Sequence, residues 1–295
     1  MPITTRALSP ALGVELLDFD PSRPFGEDTA EELRALYRDH HLLLVRGQDV
    51  DEDAQLRFAE VFGPISRRSP AMQKAKTAYV SNNRKDGILG DGELFFHSDN
   101  TFFAHPLKAI VLYSLEVPAE GGDTLFSNCA AVYDALPADL KARLEGLTSY
   151  QLFDYDSPDY SLRSREEGSR PDAPRAVHPL VWQDPETGRR TVFMSEHTTV
   201  RINELPRSEG EALIADLRER IADPAYVYRH VWQPRDLLLW DNVVLQHARQ
   251  PFDPAQRRTL RRVPIGEPDG ARRFPQSYAV EGPLPPQAVY LEGAA

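Results

Sequence analysis

Residues 237–247 read Leu-Leu-Leu-Trp-Asp-Asn-Val-Val-Leu-Gln-His, a stretch of large apolar side chains that ends on a histidine. The run Leu237–Trp240 is short and is followed by Asp and Asn, which is typical of a buried strand that ends in a turn. His247 stands at the end of the apolar strand that follows. The stretch therefore predicts a β structure in which one histidine leaves the core at a strand end.

Strand patterns of this kind recur along most of the chain and are separated by Pro, Gly, Asn and Asp. The other predicted strands are His41–Val45, Thr77–Ser81, Ala109–Leu115, Tyr150–Phe153, Pro179–Trp182, Thr191–Ser195, Tyr226–Trp232 and Thr259–Val263. Many strands with few helices favour a closed, mainly β architecture over a parallel doubly wound sheet.

A few helices are predicted between the strands. The first covers 27–39, and Asp51 is placed to cap a second. A third covers 130–146. The last begins at Ser208, where Ser208 and Glu211 have the spacing of a capping box ahead of an apolar run.

The length and composition indicate one globular unit. A chain of 295 residues with 41% hydrophobic and 27% charged residues can bury a large core, and we predict a single domain over 1–295. The segment 154–177 is polar, contains proline and shows no periodicity. It is too long for a passive connection, so we predict either a mobile active-site lid or a disordered insertion.

The same composition excludes several classes of protein. A formal charge of −11 argues against nucleic acid as a partner. No apolar run approaches the roughly 20 residues that span a bilayer, and residues 1–20 lack the pattern of a secretory signal. The single cysteine, Cys129, excludes an internal disulfide framework and a thiolate zinc cluster, and it fits a reducing cytoplasm. Any metal is therefore held by nitrogen and oxygen.

The strongest local signal for chemistry is the sequence Phe-Phe-His-Ser-Asp that ends at Asp99. In an extended strand, residues two apart point to the same face, so His97 and Asp99 can converge on one ion, with His247 as a third ligand. Two histidines and one carboxylate on one face suit non-haem Fe(II) and leave positions open for a co-substrate and O₂. A lone His-x-Asp is common by chance. The other histidines are expected to be structural or surface residues, although His178 and His197 are candidates to line the pocket.

Two further features strengthen this interpretation. Glu-Gly-Gly-Asp-Thr, ending at Thr124, is a tight glycine turn that leads into a strand. After His247 comes a cluster of arginines, in which Arg258 and Arg262 share one strand face and Arg257 and Arg261 share the other. A guanidinium fork is the natural partner of a carboxylate held by two hydrogen bonds. A solvated basic edge strand explains one of these faces but not both.

Together these residues resemble the taurine dioxygenase and 2,4-dichlorophenoxyacetate dioxygenase family of Fe(II)/2-oxoglutarate enzymes. The resemblance runs over about residues 8–265. It rests on the spacing of the His-x-Asp pair, the Gly-Gly-Asp-Thr turn, the Trp-Asp-Asn strand, His247 and Arg258. The family fold is a double-stranded β-helix, or jelly roll, with helices packed outside.

The resemblance implies a role for each matching residue. It implies that iron is bound by His97, Asp99 and His247. It implies that Arg258 pairs with the distal carboxylate of 2-oxoglutarate, the co-substrate used together with O₂, and that Thr124 hydrogen-bonds this carboxylate. Arg262 matches the arginine that meets the anionic group of the substrate in the taurine enzyme.

The sequence also departs from the taurine enzyme near the expected substrate site. Glu93 replaces an asparagine that lines that site, and the segment 66–70 lacks a histidine that helps to bind the sulfonate. Glu93 is therefore a candidate substrate-binding residue that would favour a cationic or hydroxylated group. The alternatives are that Glu93 is a solvated loop residue or that it forms an internal salt bridge with Arg262. These departures argue against taurine as the substrate.

The expected activity is oxidation of a small, anionic organic substrate, with release of succinate and CO₂ from 2-oxoglutarate. The first alternative is a metal-dependent hydrolase that uses zinc at the same triad, which leaves Arg258 and Thr124 without a purpose. The second is a non-catalytic jelly-roll binder of small molecules. A small-molecule substrate in the cytoplasm is expected, with no nucleic acid or membrane partner, and homo-oligomer formation is left open.

Overall fold

The computed structural model describes residues 2–67, 72, 74–153, 166–169, 171 and 173–266, together with the backbone of 278–279. The α-helices are α1 (Glu27–His40), α2 (Glu52–Glu60), α3 (Cys129–Ala135), α4 (Ala138–Leu144) and α5 (Arg207–Ile221). The strands are β1 (Thr5–Ala7), β2 (Val14–Leu16), β3 (Leu42–Val45), β4 (Ala78–Ser81), β5 (Gly87–Ile88), β6 (Leu94–His97), β7 (Ala109–Glu116), β8 (Thr124–Asn128), β9 (Thr148–Leu152), β10 (Arg175–Pro179), β11 (Val181–Gln183), β12 (Arg190–Val192), β13 (Thr199–Ile202), β14 (Val227–His230), β15 (Leu237–Asp241), β16 (Leu245–Arg249), β17 (Thr259–Ile265) and β18 (Tyr278–Ala279).

Two sheets pack face to face and enclose the interior. The larger has the strand order β1-β2-β3-β15-β7-β17-β4-β5, and the smaller has the order β14-β8-β16-β6. Phe126 of β8 and Leu245 of β16 lie in one apolar cluster with Leu238 and Trp240 of β15. A third sheet, β13-β9-β10-β18, and the pair β11-β12 extend this core. The mainly β, jelly-roll class predicted from the sequence is confirmed.

The continuous apolar run of β15 is explained by burial on both faces. Leu238 and Trp240 point into the space between the sheets. Leu237 and Leu239 point to the opposite side, where they pack in a cluster that includes Phe58 of α2. Side chains alternate between faces along a strand, so a strand covered by a sheet on one side and a helix on the other is apolar throughout.

The same alternation separates two neighbouring arginines of β17. Arg262 is opposite Leu112, whose side chain faces the interior between the sheets. Arg261 is opposite Tyr113, which faces the helices. There Arg261 Nε donates to Gln55 Oε1 of α2 at 2.6 Å. Arg261 therefore joins a helix to the sheet, whereas Arg262 faces the side on which the site lies.

The predicted helices at 27–39 and after Asp51 are confirmed, and the Asp51 carboxylate accepts a hydrogen bond from Ala54 N. The prediction of one helix over 130–146 is wrong, because the residue before Pro137 is held extended and the chain forms α3 and α4 instead. The capping box at Ser208 is also wrong: α5 begins at Arg207 after Pro206, without a side-chain cap. Among the described residues, no helix is long and apolar enough to cross a membrane.

The predicted strands are found with shifted ends, and one is wrong. Pro179–Trp182 is not a single strand, because the chain breaks at Leu180, between β10 and β11. Of the predicted lid, 154–165, 170 and 172 lie outside the described residues. Its last three residues, 175–177, belong to β10 and pair with β9. The lid and the single-domain boundary of 1–295 remain predictions.

Candidate metal centre

One pair of neighbouring strands brings the two histidines together. His97 is the last residue of β6, His247 lies in β16, and the two are opposite in the antiparallel register. Their ring centroids are 4.2 Å apart. Phe126 and Trp240 pack against the His247 ring from the interior, with centroid distances of 6.3 and 4.9 Å. The imidazoles therefore sit at the edge of the apolar core, as the sequence pattern predicts.

Asp99 is presented by a turn rather than by the strand, since β6 ends at His97. The buried side chain of Asn242 holds the Asp99 backbone from both sides. Asp99 N donates to Asn242 Oδ1 at 2.8 Å, and Asn242 Nδ2 donates to Asp99 O at 3.0 Å. The expected convergence of His97 and Asp99 is observed, but Asn242 produces it, and strand alternation does not.

The three side chains can offer their ligand atoms to one ion. One donor atom from each of His97, Asp99 and His247 lies within 4.8 Å of the other two. Asp99 Oδ1 is 3.4 Å from His97 Nε2 and 3.8 Å from His247 Nε2. His97 Nδ1 is 2.7 Å from the Phe95 carbonyl, which can only accept, so the ring hydrogen is on Nδ1 and the lone pair is on Nε2.

The charge states of these groups also fit a metal. Burial opposes the charge of Asp99, but the adjacent Arg262 guanidinium holds the pKa of this carboxyl well below its usual range. Burial, reinforced by the neighbouring His97, lowers the pKa of His247 to about 3. The centre therefore offers a carboxylate and neutral imidazole, the forms that bind metal. This donor set, with one face left uncovered by ligands, suits Fe(II).

Arg262 lies against the carboxylate of this centre. Its Nη2 donates to Asp99 Oδ2 at 2.6 Å, and both side chains are largely buried. Oδ1, the other oxygen of Asp99, is the one that faces the histidines. Arg262 therefore leaves one carboxylate oxygen for the metal and does not form the alternative salt bridge with Glu93.

Arg258 is a buried cation that lacks a carboxylate partner among the described residues. Its side chain is 2% exposed, and its Nε donates to the Gly122 carbonyl at 3.1 Å. Among the described residues, no carboxylate lies within 4 Å of its guanidinium. Burial and the like charge of Arg249 lower the pKa of Arg258 to about 9. An unpaired buried charge is costly, so this position is suited to an anionic ligand.

The surroundings of Arg258 form what we call the anion pocket, which comprises Gly122, Thr124, Arg249, Phe252 and Arg258. The guanidinium carbons of Arg249 and Arg258 lie 5.9 and 6.0 Å from the centroid of the Phe252 ring. Thr124 is opposite Arg249 on the neighbouring strand. The two guanidinium groups therefore lie near one aromatic ring, and Asp123, the carboxylate that acts on Arg258 with the opposite charge, is itself paired with Arg229.

The remaining candidate residues lie at the rim or beyond it. Glu93 is exposed and has no ion-pair partner among the described residues, so its role in substrate binding remains a prediction. His197 is buried against the ligand His97, with ring centroids 5.3 Å apart, and the ring of Phe95, on the same strand as His97, lies 6.2 Å from it. His178 is buried elsewhere and bonds to backbone carbonyls through Nε2.

Sequence reasoning missed two residues that shape the centre. In the sequence, Asn242 contributes only to the Trp-Asp-Asn motif. A polar amide within an apolar run does, however, indicate a structural hydrogen bond, and in the structure Asn242 is fully buried. Arg249 was placed in the arginine cluster without a role. Its guanidinium bonds to the carbonyls of Gly90 and Gly92, so it fixes the loop that precedes β6.

A set of two histidines and one carboxylate, one buried and two half-buried, next to a buried arginine without a carboxylate partner, is the donor set of a non-haem iron oxygenase that uses a carboxylate co-substrate. The chain belongs to the family described as taurine catabolism dioxygenase TauD, TfdA family, whose sequence profile matches residues 4–263. It is an Fe(II)- and 2-oxoglutarate-dependent dioxygenase. The hydrolase and non-catalytic alternatives are thereby excluded.

Individual relatives support this assignment. The chain is 32% identical, over 89% of its length and 97% of the relative, to the alpha-ketoglutarate-dependent 2,4-dichlorophenoxyacetate dioxygenase of Cupriavidus pinatubonensis. It is 30% identical, over 84% of its length and 88% of the relative, to the (S)-phenoxypropionate/alpha-ketoglutarate-dioxygenase of Sphingobium herbicidovorans. The crystal structure of AAD-2 with Mn(II) and N-oxalylglycine superposes with a TM-score of 0.78 at 27% identity, covering 90% of this chain and 98% of that one.

Proposed function

We propose that this dioxygenase oxidises a small carboxylate-bearing organic substrate at the centre formed by His97, Asp99 and His247. The anion pocket, with Arg258 and Thr124, holds the distal carboxylate of 2-oxoglutarate. The observation that carries the proposal is a fully buried arginine without a carboxylate partner, placed beside an intact ligand triad.

The strand register supports this division of the site. His247 is opposite Phe126, and the next residues on the same faces, Arg249 and Thr124, are opposite each other. Residues two apart on a strand are separated by about 7 Å. A five-carbon 2-oxo diacid spans that step, so its oxo-acid end can reach the metal ligands while its distal carboxylate reaches the anion pocket.

The substrate proposal rests on Arg262 and on the aromatic rim. Arg262 Nη2 is engaged by Asp99, but its Nε and Nη1 have no partner among the described residues and remain for a substrate anion. Phe95 and His197 form a wall beside His97 that suits an apolar or aromatic body. The names of the two curated relatives, which specify phenoxy carboxylates, support a substrate of this chemistry.

Each side chain has a distinct part in the reaction. Bound Fe(II), with 2-oxoglutarate and O₂, supplies the oxidising power for C–H oxidation while 2-oxoglutarate is converted to succinate and CO₂. His97, Asp99 and His247 would hold the metal through one donor atom each. Arg262 keeps Asp99 ionised and orients it, and the anion pocket aligns the co-substrate. The apolar packing of Phe126 and Trp240 around His247 excludes water from the interior side.

The activity is tested by supplying Fe(II), 2-oxoglutarate and a panel of aryloxy and aliphatic carboxylates to the purified protein. We expect O₂ consumption matched by succinate, above the rate without substrate, for at least one carboxylate. Uncharged amides of the same acids serve as matched controls and should not stimulate turnover. Equal stimulation by an acid and its amide would contradict an anionic substrate.

The role of Arg262 needs two variants, because this side chain also contacts Asp99. Arg262→Lys keeps a charge for Asp99 but loses the fork, so the KM for the substrate should rise at least tenfold with nearly unchanged Fe(II) affinity. Arg262→Gln removes the charge as well and should also weaken Fe(II) binding. Normal substrate KM in Arg262→Lys would assign the substrate anion to another residue.

A cytoplasmic location is part of the proposal and is supported by the single, buried, free thiol of Cys129. Burial raises the pKa of this thiol to about 12, so the thiol stays protonated and unreactive in the core. The absence of nucleic acid and membrane partners stays a prediction, and homo-oligomer formation is left open.

A further inference from the structure

We infer that Trp232 is a positioning residue for the co-substrate: its indole N–H fixes the Thr124 hydroxyl as a hydrogen-bond donor to the distal carboxylate of 2-oxoglutarate. This inference rests on the proposed function of the anion pocket. It assigns a purpose to a buried tryptophan that is not part of the metal centre.

The inference rests on a hydrogen bond in the interior between the two sheets. Trp232 Nε1 lies 2.9 Å from Thr124 Oγ1, and both side chains are buried. An indole N–H can only donate, so the threonine oxygen must accept. The hydroxyl hydrogen of Thr124 is therefore directed away from Trp232. Among the described residues it has no acceptor.

A hydroxyl without such a partner is free to rotate and can present either a lone pair or a hydrogen to a ligand. A carboxylate accepts only, so a useful hydroxyl must present its hydrogen. Trp232 selects that orientation before the ligand arrives and thereby removes part of the ordering cost of binding. The effect is specific to a ligand that carries an anion at the position of Thr124.

Trp232 is itself held in place by buried groups that the reaction does not use. The His230 ring meets the indole edge to face, with centroids 4.4 Å apart, and His230 pairs with Thr124 across β14 and β8. His230 Nε2 lies 3.2 Å from Asp236 Oδ2, and Arg46 Nη1 donates a hydrogen bond to the same oxygen at 2.8 Å. These side chains therefore connect Thr124, in the small sheet, to residues at the ends of β3 and β15 in the larger sheet.

The test measures equilibrium binding of two 2-oxo acids to the Mn(II)-loaded protein by calorimetry. One is 2-oxoglutarate, and the other is 2-oxovalerate, which lacks the distal carboxylate. Trp232→Phe should raise the Kd of 2-oxoglutarate about tenfold, the order expected for a weakened hydrogen bond to a charged group. The Kd of 2-oxovalerate should not change. Trp182→Phe, which removes a buried indole far from the pocket, is the matched control and should bind both acids normally.

Thr124→Val separates this inference from the proposed function on which it rests. Thr124→Val should weaken 2-oxoglutarate binding by a similar factor, and Trp232→Phe should then add little, because both changes remove the same oriented donor. If Thr124→Val binds 2-oxoglutarate normally, the proposed anion pocket is wrong. If Thr124→Val weakens binding while Trp232→Phe does not, the pocket stands and the role of Trp232 is overturned. Equal weakening of both acids by Trp232→Phe also overturns it, since a general loss of structure would have that effect.

A near-isosteric substitution keeps the test valid if Trp232→Phe does not fold. The benzothiophene analogue of tryptophan replaces the indole N–H by sulfur, and it can be incorporated biosynthetically in the Trp182→Phe background. Trp240 Nε1 has no hydrogen-bond partner among the described residues, so only the Trp232 bond is lost. The same selective loss of 2-oxoglutarate binding is expected, and unchanged binding would contradict the inference.

Discussion

Replacement of Arg258 by methionine should make the ligand-free protein more stable and destroy its affinity for 2-oxoglutarate. Methionine fills a similar volume without a charge. In the structure, the Arg258 side chain is buried, and its one hydrogen bond among the described residues goes to the Gly122 carbonyl. The charged group that acts on it most strongly is another cation, Arg249. A residue kept only for stability would not be placed in this way.

The expected size of each effect follows from the same observations. Burial and Arg249 lower the pKa of Arg258 from 12.5 to about 9, which corresponds to a cost of the charged form on the order of 4–5 kcal/mol. The hydrogen bond to Gly122 offsets about 1.5–3 kcal/mol. Arg258→Met should therefore raise the free energy of unfolding of the ligand-free protein by about 1–3 kcal/mol. Because the lowered pKa penalises the cation, this gain is complete below about pH 9 and shrinks as the pH rises further.

Loss of one partner of a buried ion pair costs about 3–5 kcal/mol, so the affinity for 2-oxoglutarate should fall between about a hundred and a few thousand-fold. Urea unfolding with and without Mn(II) and N-oxalylglycine measures both effects together, since a ligand that binds only the folded state raises its stability. Arg257→Met is the matched control, because Arg257 is 70% exposed and pairs with Glu116. A less stable Arg258→Met protein with an unchanged KM for 2-oxoglutarate would refute the reasoning.

Three further outcomes follow from individual residues. His247→Ala should abolish Fe(II)-dependent turnover and measurable Fe(II) binding while the circular dichroism spectrum stays native, and residual full activity would remove this residue from the centre. Gly121→Ala should lower the free energy of unfolding by about 2–4 kcal/mol in urea, since φ is +76° and the new Cβ would lie 2.7 Å from the Pro251 carbonyl oxygen. Gly188→Ala is the control, with φ +72° but no atom closer than 3.9 Å, and it should lose only about 1–2 kcal/mol through backbone strain. Burial lowers the pKa of His178 to about 4, so the folded protein should lose stability as the pH falls from 6.5 to 4. Urea unfolding over this range should show a loss about 3 kcal/mol larger for the wild-type protein than for His178→Gln. Equal losses in the two proteins would contradict a buried neutral imidazole.

Much of the site could be predicted because its chemistry depends on residue type and spacing. His97, Asp99 and His247 were visible as the ligands that Fe(II) requires, and the structure brings them together. Strand positions were also readable, since an apolar stretch such as β15 is buried on both sides. The mainly β fold follows from many such segments.

What the sequence did not show are contacts between residues far apart in the chain. The pairing of Arg262 with Asp99 and the support of Asp99 by Asn242 join residues separated by more than a hundred positions. Periodicity reports which face a side chain takes but not what meets it there. Glu93, matched through the resemblance to an asparagine that lines the taurine enzyme's substrate site, is exposed, and its role in substrate binding stays a prediction.

The direct pairing of His97 with His247 across β6 and β16 constrains how this chain can change during evolution. Insertion or deletion of a single residue within either strand would turn one imidazole to the opposite face of the sheet, and iron binding would be lost in one step. A change in length keeps the centre only where it leaves this pairing intact, as in the segments that connect the strands. The centre can in this way be inherited unchanged while the connecting segments adapt to new carboxylates.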